Sequence, residues 1–198
     1  VSARRTGRRP GSPDTREAIL AAAREAFAER GFDAASIRAI ATAAGVDPAL
    51  VHHYFGGKEE LFRAATAFPA DPGRLLPAVL AGDRDGVGER LVRVFLEVWD
   101  SPVGAAGVAL LRSAVSNDWT ARLLREFLVT QVLRPVLDHL AVDPAQRPLR
   151  GGLVATQLAG LAMMRYVLRF DAVADAEPAT LVAAAGPTVQ RYLTGDIT

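Results

Sequence analysis

The chain of 198 residues has no cysteine, which excludes disulfides, thiol redox sensing and cysteine-ligated zinc. It also lacks an apolar run long enough to span a bilayer. The best stretch, Leu153 to Met164, is interrupted by Thr156 and Gln157. The arginine-rich start is followed by no hydrophobic region, so it does not read as a secretory signal. No membrane partner is expected, and the pattern fits a cytoplasmic protein. Lysine is nearly missing: of 23 basic side chains, all but Lys58 are arginine.

Catalytic patterns are missing as well. No Ser-His-Asp arrangement or nucleotide loop occurs, and Gly56-Gly57-Lys58 lacks the spacing of a phosphate-binding P-loop. Carboxylates such as Glu126 and Asp138 read as solvated helix positions. His52 and His53 are adjacent, hence about 100° apart around a helix, and no third ligand lies at useful spacing. His139 is distant along the chain. No enzyme activity, cofactor or metal is expected.

Half of the residues are hydrophobic, enough for a sizeable core. The net charge is only +1, but it is uneven. Residues 1–10 carry Arg4, Arg5, Arg8 and Arg9 and no acid. Residues 1–68 hold 10 basic and 8 acidic side chains, and residues 69–198 hold 13 and 14, so any charge for nucleic acid is concentrated at the start.

The stretch from Ser36 to Lys58 organises the rest. Ser36 is placed to cap a helix on which Ile37, Ile40, Ala41 and Ala44 recur at helical spacing. Gly45 stands where the chain must leave that helix, and Val46 fills the corner. Asp47 caps a second helix and Pro48 suits its first position. Leu50, Val51, Tyr54 and Phe55 are apolar or aromatic positions along it. Two short helices joined through a glycine turn form a helix-turn-helix, whose second helix enters the major groove of DNA. Gly56 to Phe62 then opens another helix with Lys58 at its start, where free N–H groups favour phosphate. Upstream, Asp14 and Glu17 have capping-box spacing for a helix from about 14 to 30 that Gly31 ends. Ile19, Leu20, Ala23, Ala26 and Phe27 form its stripe, and Phe32 folds back on it.

The combination Ile40-Ala41, Ala44-Gly45-Val46, Phe55 and Lys58-Glu59-Glu60-Leu61-Phe62 resembles the DNA-binding domain of TetR-family transcriptional regulators. The resemblance covers roughly residues 14–68. It implies that Pro48, Ala49 and Leu50 face base edges. None of the three offers a side-chain hydrogen bond, which leaves apolar contact with a thymine methyl. His52 and His53 are read as donors to bases or phosphates. Tyr54 is read as a phosphate donor or a packing residue. Arg38 is read as a guanine contact or a solvated ion pair. Ser36 and Lys58 complete the DNA-facing set, with Thr15 or Arg16 reaching a phosphate. Residues 1–12 are either an arm that follows DNA or a solvated tail.

Three domains or segments follow: a basic arm at 1–12, a helix-turn-helix domain at 13–68, and a helical ligand-binding and dimerisation domain at 69–198. The fold class is all-α. Pro69, Pro72 and Gly73 mark the boundary, after a helix expected to act as a lever between the domains. Further helices are expected near 73–81, 85–100, 104–116, 118–140, 149–170 and 178–194, with kinks or early ends at Pro77, Pro135 and Pro187.

The resemblance implies a ligand pocket in this second part. Its candidates are Phe95, Trp99, Leu111, Arg112, Trp119, Phe127, Met163 and Tyr166, each of which also reads as ordinary core. Arg112 and Arg165 are expected to be exposed. The resemblance also implies a homodimer through the two C-terminal helices. Gly151, Gly152, Ala155, Ala159, Gly160 and Ala162 are small enough for close approach there. Leu153, Leu158, Leu161, Leu181, Val182, Val189 and Leu193 supply apolar surface.

The expected function is sequence-specific regulation of transcription, as a repressor released from palindromic operator DNA by an unknown small-molecule effector. The alternative is a helical small-molecule-binding protein or enzyme without specific DNA binding.

Overall fold

A computed structural model describes residues 13–68 and 70–197, with the side chains of Pro13 and Asp14 excepted. The arm at 1–12 and the Asp14 half of the capping box lie outside the described residues. All regular structure among the described residues is helical. The chain divides into two compact units after Ala67.

The first unit contains α1 (Pro13–Ala34), α2 (Ile37–Ala43), α3 (Pro48–Phe55) and α4 (Lys58–Thr66). Ile19, Leu20, Ala23 and Phe27 of α1 are buried, as their spacing requires. Gly31 breaks the helical course at φ 76°, although one further turn carries the helix to Ala34. Phe32 then returns against Phe27 and Phe62, with ring centroids 6.0 and 5.0 Å away. Arg24 ties α1 to α4 by donating to the Ala65 carbonyl at 3.2 Å, near the end of α4 where carbonyls lack helical partners.

The second unit begins with α5 (Pro72–Leu80), a 3₁₀ turn (Arg84–Gly86), α6 (Val87–Asp100) and α7 (Gly104–Ser116). It continues through α8 (Asp118–Phe127), α9 (Arg134–His139), α10 (Arg147–Ala162), α11 (Asp171–Ala174) and α12 (Pro178–Thr194). Its core joins Leu91 and Leu96 of α6, Leu137 of α9, Val154 of α10, and Val189 and Leu193 of α12.

Helices α6 and α12 cross where two glycines face each other. A Cβ on Gly88 would come within 2.5 Å of the Gly186 carbonyl oxygen and the Gln190 backbone nitrogen. The Gly88 N–H donates to Gln190 Oε1 at 2.7 Å, so the close approach also satisfies a first-turn donor.

The helix expected over 118–140 is interrupted by a π turn at Leu128–Leu133. Pro135 explains its place: proline has no N–H to return and its ring crowds the carbonyl four residues back. The preceding N–H, that of Arg134, reaches five residues back to Val129. A second π turn, Met163–Val167, extends α10. Arg150 is buried, and its guanidinium donates to the carbonyls of Tyr192 at 2.9 Å and Gly195 at 3.0 Å. It therefore lends a cation to the negative end of α12.

Candidate functional site

The helix-turn-helix is built by short local bonds. Ser36 Oγ accepts from the Ala39 N–H at 3.2 Å, and Asp47 Oδ1 accepts from the Ala49 N–H at 2.7 Å. Between them the Val46 N–H returns to the Ala41 carbonyl at 2.9 Å. Gly45 makes this possible at φ +68°; a Cβ there would meet nothing within 4 Å, so the backbone angle rather than crowding selects glycine.

Val51 and Phe55 fix the orientation of α3 by being buried. Ala49, His52 and His53 are consequently exposed, while Pro48, Leu50 and Tyr54 are half-buried. Arg38 and Thr42 are exposed on α2, with the Thr42 hydroxyl donating to the Arg38 carbonyl at 2.9 Å. The sequence reading passed over Thr42; its signal was a hydroxyl one helical turn beyond Arg38, on the same face.

Three of the sequence candidates are held in specific ways. His52 Nδ1 lies 3.0 Å from the Gly56 carbonyl oxygen. A carbonyl only accepts, so Nδ1 carries a proton, and in the neutral ring Nε2 is left as an acceptor rather than the expected donor. Lys58 Nζ donates to the Asp33 carbonyl at 3.2 Å and lies 4.7 Å from the Phe32 ring centroid. Its charge is thus gathered against the end of α1, while Gly57, the N-cap residue of α4, has no side chain to cap it. The Tyr54 hydroxyl is buried without a hydrogen-bond partner among the described residues, which points to packing at that position. Arg16 lies over the Phe55 ring, 5.3 Å from its centroid.

In the second unit, a cavity of about 90 Å³ is lined by Phe68, Phe95, Trp99, Leu111, Leu124 and Leu158, among other apolar residues. Three of the eight ligand candidates, Phe95, Trp99 and Leu111, meet there. Phe127 is fully buried, with its ring centroid 4.3 Å from that of Phe68, and does not line the cavity. Arg112 is exposed, and Trp119 and Met163 are half-buried away from the lining. Tyr166 stacks on the outer side of Trp99 at 5.4 Å and donates to Asp100 Oδ1 at 2.9 Å.

Arg165 corrects a sequence expectation. Its side chain is only 10% exposed, with Nε 3.3 Å from Asp100 Oδ1. It also donates to the carbonyls of Val173, Ala174 and Ala176 at 2.8, 3.1 and 2.9 Å. The acid that allows burial is 65 residues away, so no local pattern announces it. Burial first, then the hydrogen bond and charge of Asp100, push the Tyr166 hydroxyl above its ordinary pKa, while Arg165 pulls the other way.

Residues 19–65 match the tetR family of bacterial regulatory proteins, and residues 85–193 match the tetracyclin repressor-like C-terminal domain. The chain belongs to the TetR family. It is 32% identical over 150 residues to the HTH-type transcriptional repressor BdcR of Escherichia coli K12, across 73% of this chain and 76% of that one. It is 42% identical to a TetR-family regulator of Streptomyces coelicolor A3 of known structure, with 94% and 98% of the two chains covered and a TM-score of 0.46. The HTH-type transcriptional regulator UidR of E. coli K12 is 46% identical over 50 residues, 25% of this chain and 26% of that one. These relatives are regulators rather than enzymes, and this TetR-family protein is a DNA-binding transcriptional regulator.

Proposed function

We propose that this TetR-family protein is a cytoplasmic, dimeric repressor that leaves a palindromic operator when a small molecule occupies the cavity beside Trp99. The observation that carries the DNA reading is the exposed edge of α3, presented because Asp47 caps the helix and Val51 and Phe55 bury its opposite side. On this reading residues 13–68 read DNA. Ala49, Pro48 and Leu50 meet base edges or thymine methyls, His52 accepts from a base amino group, His53 and Arg38 meet bases or phosphates, and Ser36 and Lys58 meet phosphates. The repressor reading is supported by the similarity to the transcriptional repressor BdcR.

Residues 69–198 sense and dimerise. Dimerisation through α10 and α12 is supported by surface that this chain leaves bare. A Cβ on Gly152 or Gly160 would meet nothing within 4 Å, so neither glycine is required by packing within the chain. Leu149, Leu168 and Phe170 are 61–62% exposed on or just beyond α10. By contrast Gly151, Ala162, Val182, Val189 and Leu193 are buried within the chain and are not available to a partner. Twofold symmetry would match half-sites about 34–36 Å apart. No single helix among the described residues is long and apolar enough to cross a membrane. The segments Arg84–Asp100 and Gly104–Ser116 reach that length and apolarity only together, and they are bent by 98° at their junction.

The test is a gel shift on the protein's operator with increasing effector, paired with effector binding to free and operator-bound protein. Coupling between sites is reciprocal, so both experiments should report the same factor. A ligand that fills the cavity tightly while operator affinity stays constant would end the release mechanism.

A further inference from the structure

The exposed side chains of α3 differ in what they have already bonded. Ala49, His52 and His53 recur at helical spacing and lie together on the exposed side, away from the buried Val51 and Phe55. Ala49 offers only a methyl group. His53 has its ring centroid 5.4 Å from that of Tyr54 and no hydrogen-bond partner among the described residues, so either of its nitrogens can carry the proton.

His52 is tied twice to one residue. The Gly56 N–H donates to the His52 carbonyl at 2.8 Å, and His52 Nδ1 lies 3.0 Å from the Gly56 carbonyl oxygen. The two bonds close a ring at the C-terminal end of α3, where Gly56 takes a φ of 77°. Glycine adopts that angle at little cost, and the turn holds the Gly56 carbonyl as an acceptor for the imidazole. Nδ1 therefore keeps the proton, and Nε2 of the neutral ring presents a lone pair.

We propose that His52 is a specificity-determining residue that selects adenine or cytosine, the bases with an amino group, and rejects guanine and thymine on the strand it faces. This inference rests on the DNA reading above and deepens it from a contact to a choice of base. In the major groove adenine presents an N6 amino group and cytosine an N4 amino group, whereas guanine and thymine present the acceptors O6 and O4. Two acceptors brought together have no proton to share, and each has lost the water that satisfied it. His52 cannot relieve this by turning its ring over, because that would break the bond to Gly56.

The test has two readouts. In the full chain at about pH 8.5, above the ordinary histidine range, nitrogen-15 NMR should show the imidazole that is missing from H52Q as the Nδ1–H tautomer. The Nε2–H tautomer would overturn the proposal before any DNA is added. For the second readout, a duplex selected by the full chain from randomised DNA is changed one base pair at a time in both half-sites and followed by gel shift. At one position the wild type should lose about tenfold in affinity when adenine or cytosine gives way to guanine or thymine, and H52A should lose that preference while keeping the others. Replacing that adenine by purine, or that cytosine by 2-pyrimidinone, deletes the amino group alone. The wild type should lose about tenfold more than H52A, a difference from which weaker base pairing cancels. A preference for guanine or thymine would make His52 a donor. An H52A loss equal on all sequences, with a shallower salt dependence, would make it a phosphate contact. Either result overturns the proposal. A selected sequence indifferent to His52 removes this inference alone, whereas failure to select any sequence removes the DNA reading and this inference with it.

Discussion

The helix-turn-helix segment and the second unit differ in how far along the chain their defining bonds reach. In the helix-turn-helix, Ser36 holds Ala39, Ala41 receives Val46 and Asp47 holds Ala49. In the second unit, Gly88 meets Gln190, Asp100 meets Arg165, and Arg150 meets Tyr192. A local bond is set by helix geometry and residue type, so its role can be read directly. A bond across 42 to 102 residues depends on how helices cross, which no short pattern states.

The largest break in this comparison should come from G88A. Its methyl would lie 2.5 Å from backbone atoms of α12, which have little freedom to retreat. A loss of about 3 kcal/mol is expected from urea unfolding of the full chain. Next is D100N, which removes the carboxylate from both Arg165 and Tyr166 and should cost about 2 kcal/mol by the same assay. G45A belongs to the local unit and should cost only about 1 kcal/mol, because the strain is one backbone angle in open space. A G45A loss equal to that of G88A would erase the contrast between local and long-range control.

Two smaller effects sharpen it. Y54F removes a buried hydroxyl without a partner and should raise stability by up to about 1 kcal/mol while leaving operator affinity unchanged. Weaker operator binding by Y54F would instead assign that hydroxyl to DNA. Tyr166 gives the smallest effect near neutrality. Its pKa is raised in the fold, so the folded state holds its proton when the unfolded chain begins to release it. Its contribution should be full below the ordinary value of 10.0 and be lost as pH rises above it. Thermal midpoints should therefore show no Tyr166-dependent slope between about pH 7 and 9, and Y166F should flatten the alkaline decline.

Legibility in the sequence follows the same divide. The all-α class, the helix-turn-helix caps and the main helices of the second unit were marked by spacing, glycine and proline. The Leu128–Leu133 π turn was hinted at only by Pro135. Short α11 escaped because four residues carry no period. In the candidate cavity, aromatic residues on helical stripes were visible, but which stripe faced space was not. Phe95 and Trp99 line the cavity while Phe127, equally aromatic, fills the core. Arg165 was misplaced for the same reason, since its partner comes from another helix.

The central claim is that the α2–α3 face reads DNA, and the most direct measurement is a gel shift on DNA upstream of the protein's own gene. It should use unrelated competitor DNA at two salt concentrations and compare the wild type with R38A/H53A. The account predicts saturable binding that survives competitor, and a loss of about tenfold or more in a variant whose thermal midpoint is unchanged. Equal binding to any DNA, or a variant that binds the upstream DNA as tightly as the wild type, would contradict it.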